Sequence, residues 1–214
     1  MVNKCVSYCL VYSIISMFAA PGILLSQVLN LKDISKSQGV ISVQNITGDE
    51  ADYFEASIDS GVKQRLANVE RYHMGRYVIE SIAKGKYKEA LPDINFILKY
   101  FPNHPMGLQL LTSVAMLSKN TALPIQYFEK AIALYPNHAM TYAQYGWYYV
   151  TIDRLDIGIH KLRSAVDMDP QLTAAHIWLA HAYDKKGDSS LSQEAAARAR
   201  ELGYNGMLPG DVKN

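Results

Sequence analysis

The groups best suited to chemistry here are six histidines, and their spacing argues against a shared task. His104 and His138 each follow Pro-Asn, one repeat period apart, and no cysteine or carboxylate completes a tetrahedral metal site beside them. His176 and His181 are five residues apart, whereas two ligands on one helix face need four. Asp167-Met168-Asp169 pairs two carboxylates, but Pro170 follows and the run reads as a helix ending. Ser81-Ile82-Ala83-Lys84 fits Ser-x-x-Lys, a match short enough for chance. There is no glycine-rich phosphate loop, no His-Glu-x-x-His and no nucleophile elbow. The sequence thus offers no catalytic residue, metal ligand or cofactor site, and the expectation is a protein that is not an enzyme.

The elements that must position any other function are helical and repeated. Pro102, Pro136 and Pro170 stand 34 residues apart, each closing a similar stretch: Leu98-Lys99-Tyr100-Phe101-Pro102, Ala133-Leu134-Tyr135-Pro136 and Val166-Asp167-Met168-Asp169-Pro170. A fixed period of this length means stacked helical hairpins. The turns within each hairpin are Lys84-Gly85-Lys86, Ser118-Lys119-Asn120, Ile152-Asp153-Arg154 and Lys186-Gly187-Asp188. Proline suits the junctions because it cannot continue a helix. Residues 68–203 divide into four helix pairs of one length.

These residues resemble the tetratricopeptide repeat (TPR) family, a helix–turn–helix unit patterned W-x2-L-G-x2-Y, then A, F, A and a closing P. The third unit carries Tyr142, Tyr145, Gly146 and Tyr149 in its first helix, then Leu162, Ala165 and Pro170. The second carries Phe128, Ala131 and Pro136, and the first Ala90, Ile94, Ile97 and Pro102. The fourth matches with Leu179, Ala180, Tyr183, Ala196 and Ala199 but ends at Leu202-Gly203 without a proline. The expected fold is all-α, an α-solenoid of about four TPR units. Gly146 and Gly158 are expected where paired helices approach closely, and Tyr142, Tyr145 and Tyr149 on one buried stripe. Pro92, five residues after Tyr87, should kink its helix or delay its start.

Four segments follow: 1–31, a signal peptide or membrane anchor; 32–61, a linker and short helix; 62–203, the repeats; and 204–214, a tail. Lys4 is the sole charge before Lys32, and residues 5–29 are mostly apolar. A basic start and an apolar run are the pattern of an export signal. The run also nears the about 20 residues that span a bilayer, so cleavage and an uncleaved anchor stay open. Both cysteines, Cys5 and Cys9, lie here, so the remainder needs no disulfide. An acidic turn at Asp49, Glu50 and Asp52 predicts a short helix ending near Gly61, then a longer helix over 62–84.

A net charge of +1 and a pI near 7.7 give no pull toward nucleic acid. The resemblance implies a concave groove lined by the first helices, which register assigns to Tyr72, Ile79, Met106, Gln109, Ser113, Met116, Met140, Ala143, Trp147, Ile177, His181 and Asp184. Such a surface would be apolar and methionine-rich with one exposed indole, suited to a helix or extended peptide; residues 49–60 or the linker would otherwise cover it. The expected function is a scaffold or assembly factor for a protein partner in an envelope or secreted complex, exported, bacterial and periplasmic or anchored through residues 5–29. A cytosol-facing anchored adaptor and an accessory subunit binding glycan or a small molecule are the alternatives.

Overall fold

A computed structural model describes residues 48–211 of the 214. The signal or anchor, both cysteines and most of the linker lie outside them. Every regular element among the described residues is helical: α1 Ser60–His73, α2 Arg76–Ala83, α3 Tyr87–Tyr100, α4 Pro105–Ser118, α5 Ile125–Leu134, α6 Ala139–Thr151, α7 Leu155–Met168, α8 Thr173–Lys186 and α9 Ser189–Glu201. They fall into two compact units that part between Pro136 and Asn137.

The hairpin turns repeat in backbone detail. Gly85, Lys119, Asp153 and Gly187 take positive φ at intervals of 34 residues. One residue further on, the amides of Lys86, Asn120, Arg154 and Asp188 donate back to Ser81, Ala115, Tyr149 and Tyr183 at 2.8, 3.0, 2.9 and 2.9 Å. This is the Schellman closure, which uses a left-handed residue to satisfy carbonyls a helix end leaves unpaired. Helices α2–α9 thereby form four helix–turn–helix pairs of TPR-like design.

In the first unit α1 runs antiparallel to α3. His73 Nδ1 lies 2.7 Å from Asp93 Oδ1 and its ring stacks on Phe96, while Arg65 near the other end sits over Phe101. The single helix expected over 62–84 is in fact α1 and α2, broken at Met74 and Gly75, with Gly75 as the extended N-cap of α2. The short helix expected to end near Gly61 is a run of turns over residues 53–58. Asp59 then caps α1, accepting from the amides of Gly61 and Val62 at 2.7 and 2.9 Å. Pro92 does not delay α3, which starts at Tyr87. Both Pro92 and Lys88, whose carbonyl loses its helical donor, are exposed.

In the second unit the close approach is where the glycines stand. A Cβ on Gly146 would lie 2.8 Å from the Gly158 carbonyl oxygen, and one on Gly158 would lie 2.6 Å from Val150 Cγ2. The tyrosine stripe is only partly buried. Tyr145 is buried and shares a 2.9 Å hydroxyl contact with half-buried Tyr149, and the fully enclosed tyrosine is Tyr148. The chain beyond α9 folds back on it: the Arg200 guanidinium donates to the Tyr204 and Gly206 carbonyls and pairs with Asp211, and Leu208 is buried. Arg200 and the Leu208 amide hold the Asp211 carboxyl below its usual range, the amide contributing most.

Candidate functional site

The first helices α4, α6 and α8 are buried over most of their length, whereas α2 exposes Arg76 and Tyr77. In α4 residues 107–115 are all buried, and in α8 residues 174–180 are. A helix apolar on every side is a central element rather than one wall of an open channel. The expected groove residues divide accordingly. Gln109, Ser113, Ala143, Trp147 and Ile177 are buried; Ile79, Met106, Met116, Met140 and His181 are half-buried; Tyr72 and Asp184 are exposed.

The exposed indole expected at position 147 is therefore a core indole. Trp147 is 5% exposed, its ring parallel to Trp178 at 5.9 Å and 6.2 Å from the His181 ring. The face of α6 that carries Trp147 is covered by Trp178 of α8. Burial lowers the His181 imidazole below its ordinary range, and Asp184 offsets part of the shift. Ser113 serves α4 itself: its hydroxyl and that of Thr112 donate to the Gln109 main-chain carbonyl at 2.9 and 2.8 Å. Tyr72 belongs to α1, its ring against its neighbour Arg71, and the break at Gly75 separates it from Ile79 on α2.

The Pro-Asn-His turn, read as structural from sequence, does more than end a helix. His104 is the buried N-cap of α4: its Nδ1 accepts from the Gly107 amide at 3.2 Å. That leaves the proton on Nε2, 3.3 Å from the Glu70 carboxylate. Asn103, fully buried, grips a strap formed by residues 49–53. Its Oδ1 accepts from the Tyr53 amide at 2.9 Å and its Nδ2 donates to Asp52 at 2.8 Å. The Ala51 amide donates to the Tyr100 carbonyl at 2.8 Å, and the Tyr53 ring packs on His104 at 4.5 Å. Beyond α3 the strap reaches α5, where Glu50 and Lys130 pair at 2.7 Å with side chains 3% and 13% exposed. Burial, with Asp52 and Glu50 nearby, pushes the Tyr135 phenol up to about 12.

This strap was missed in the sequence because Asp49, Glu50 and Asp52 satisfy the rule for an acidic first turn. The available signal was alternation: Glu50 and Asp52 are two apart, the spacing that puts side chains on one side of an extended chain.

Among the described residues no cluster of three histidine, cysteine or acidic side chains could hold a metal, and no helix is long and apolar enough to cross a membrane. No protein-family model and no curated protein matches the sequence. Solved structures do. MamA from residue 41 to its end, from Desulfovibrio magneticus RS-1, aligns at 29% identity over 55% of this chain and 67% of that one, with a TM-score of 0.45. A MamA RS-1 ArsTM double mutant aligns at 23% over 70% and 79%, with a TM-score of 0.48. A further MamA crystal structure aligns at 16% over 68% and 82%, with a TM-score of 0.49. The repeat assignment itself stands on this chain's own helix pairs, periodic left-handed turns and glycine contact.

Proposed function

We propose that this protein is a non-catalytic interaction scaffold whose repeat helices hold an extended segment of a protein partner. The observation that carries the reading is the strap. The first unit binds an extended acidic stretch of its own chain through one main-chain hydrogen bond, a buried asparagine clamp and a buried ion pair. Main-chain bonds that give affinity and side-chain pairings that give selectivity are the elements of peptide recognition. Half-buried Met106, Met116 and Met140 add adaptable apolar surface on the first helices.

The partner belongs, in this proposal, to an envelope or secreted complex, and residues 1–31 direct export and either leave or remain as an anchor. The basic start and apolar run support that placement. A periplasm-active reporter fused after Asn214 tests it: activity is the expected result, and activity confined to a cytosolic reporter would contradict it. For the binding claim, a photo-cross-linking residue goes at Met106 or Met140 in native cells, with exposed Lys88 as the control. A discrete adduct from the methionine positions, absent at Lys88, is expected. Identical patterns at all three positions, or no adduct, would contradict the scaffold reading.

A further inference from the structure

Between α7 and α9, over α8, the second unit has an open-sided cleft of about 630 Å³. Two repeat periods earlier the corresponding space is filled. There Tyr127 of α5 is buried, and its hydroxyl donates to Asn95 of α3 at 2.8 Å. Where the first unit has Tyr127 and Asn95, the second has Ala195 and Arg163, and both line the cleft. A methyl group stands where the first unit has a phenol ring, which leaves the part of the cleft over Ala195 unfilled. The same register places Arg198 where the first unit has Lys130, the cation that holds Glu50 of the strap. Arg198 pairs with Glu201 three residues on, with side chains 41% and 65% exposed, a surface contact that a ligand carboxylate can replace at little cost.

We propose that this cleft binds a peptide segment of a partner protein in which an aromatic side chain lies within a few residues of a carboxylate. The ring takes the place over Ala195 that Tyr127 fills in the first unit, against the apolar walls of Val166, Leu179 and Leu191. Arg163 at the mouth offers its guanidinium to the ring face. The carboxylate pairs with Arg198, as Glu50 does with Lys130, and the strap carries the same combination in Glu50 and Tyr53. Asp167 and Glu194 on the cleft lining repel further negative charge, so the segment presents one carboxylate here and not an acidic run. The proposal rests on the scaffold reading but assigns a second surface, on α7–α9 of the second unit.

The probe is acetyl-Glu-Ala-Asn-Tyr-Phe-amide, which carries a single carboxylate, titrated into isotope-labelled full-length protein and followed by amide chemical shifts. Saturable shifts on α7–α9 are expected, with affinity at least tenfold weaker when both aromatic residues of the peptide are alanine. Ala195→Tyr, which refills the space, should weaken binding at least tenfold while circular dichroism stays unchanged. Should that variant fail to fold, Arg198→Glu at a half-buried position gives the same readout. Absence of saturable shifts on α7–α9, or equal affinity in wild type and variants, overturns the proposal. Shifts confined to the strap surface near Lys130 also overturn it yet leave the scaffold reading standing, whereas the absence of any cross-linked adduct in cells tells against that reading and not against the cleft.

Discussion

Trp147 shows how little a residue's identity says about its task until its cover is known. An exposed tryptophan beside methionines would be a binding anchor; stacked on Trp178 at 5.9 Å and 5% exposed, it is a packing residue. Trp147→Ala should therefore cost about 3–5 kcal/mol, read as a lowered urea midpoint, because a large cavity opens beside α8. An unchanged midpoint would return the indole to the surface. His181, next to it, sets a pH dependence. Its folded-state pKa lies below its ordinary value of 6.5, so the unfolded chain binds the proton more readily. The contribution is present in full above pH about 6.5 and is lost as pH falls through the lower folded value. An imidazole NMR titration should place the midpoint below 6.5, and His181→Gln should reduce the loss of stability on acidification.

At the scale of the element, the four hairpin turns share one backbone solution built from four different sequences. Glycine supplies the left-handed residue at positions 85 and 187, but Lys119 and Asp153 take φ of 58° and 64°. A lysine there carries steric strain that aspartate tolerates better. Lys119→Gly should raise stability by roughly 0.5–1 kcal/mol, the relieved strain exceeding the added freedom of the unfolded chain; calorimetry would check it, with a lower melting temperature as the contrary result. The strap is the second element-scale device. Lys130→Met removes the cation paired with the buried Glu50 carboxylate and should cost about 3–5 kcal/mol, whereas Glu50→Met with Lys130→Met should recover most of it. Equal losses in the single and double variants, measured by denaturant unfolding, would contradict this. The hairpins were legible from sequence because proline junctions and polar turns recur at one interval. Two elements were not. Gly75 interrupts an apolar helical pattern that continues on both sides of it, so periodicity alone runs across the break. The strap's acidic residues fit a helix start as well as they fit an extended chain.

At the scale of the molecule, a chain carrying a net charge of +1 relies on local pairings rather than bulk field to choose partners. The expected groove was legible as a set of positions on the first helices and illegible as a surface. Period and register fix which face a side chain occupies, while what packs on that face depends on contacts distant in sequence. Residues 107–115 and 174–180 are the clearest cases, every one of them buried whatever its register. Beside the half-buried methionines of the first helices, extended chain is held over α3 and α5 in the first unit, and the cleft proposed to bind a partner lies on α7–α9 in the second.

Hydrogen exchange at the Ala51 and Tyr53 amides of the full-length protein tests that account most directly. Ala51 donates to Tyr100 and Tyr53 to Asn103, so both amides should be protected nearly as well as the interior of α3. Lys130→Met and Asn103→Ala should each release that protection while α3 keeps its own. Exchange at the rate of an open loop in the wild type would mean that the strap is not held, and would contradict the claim that these repeats bind extended chain.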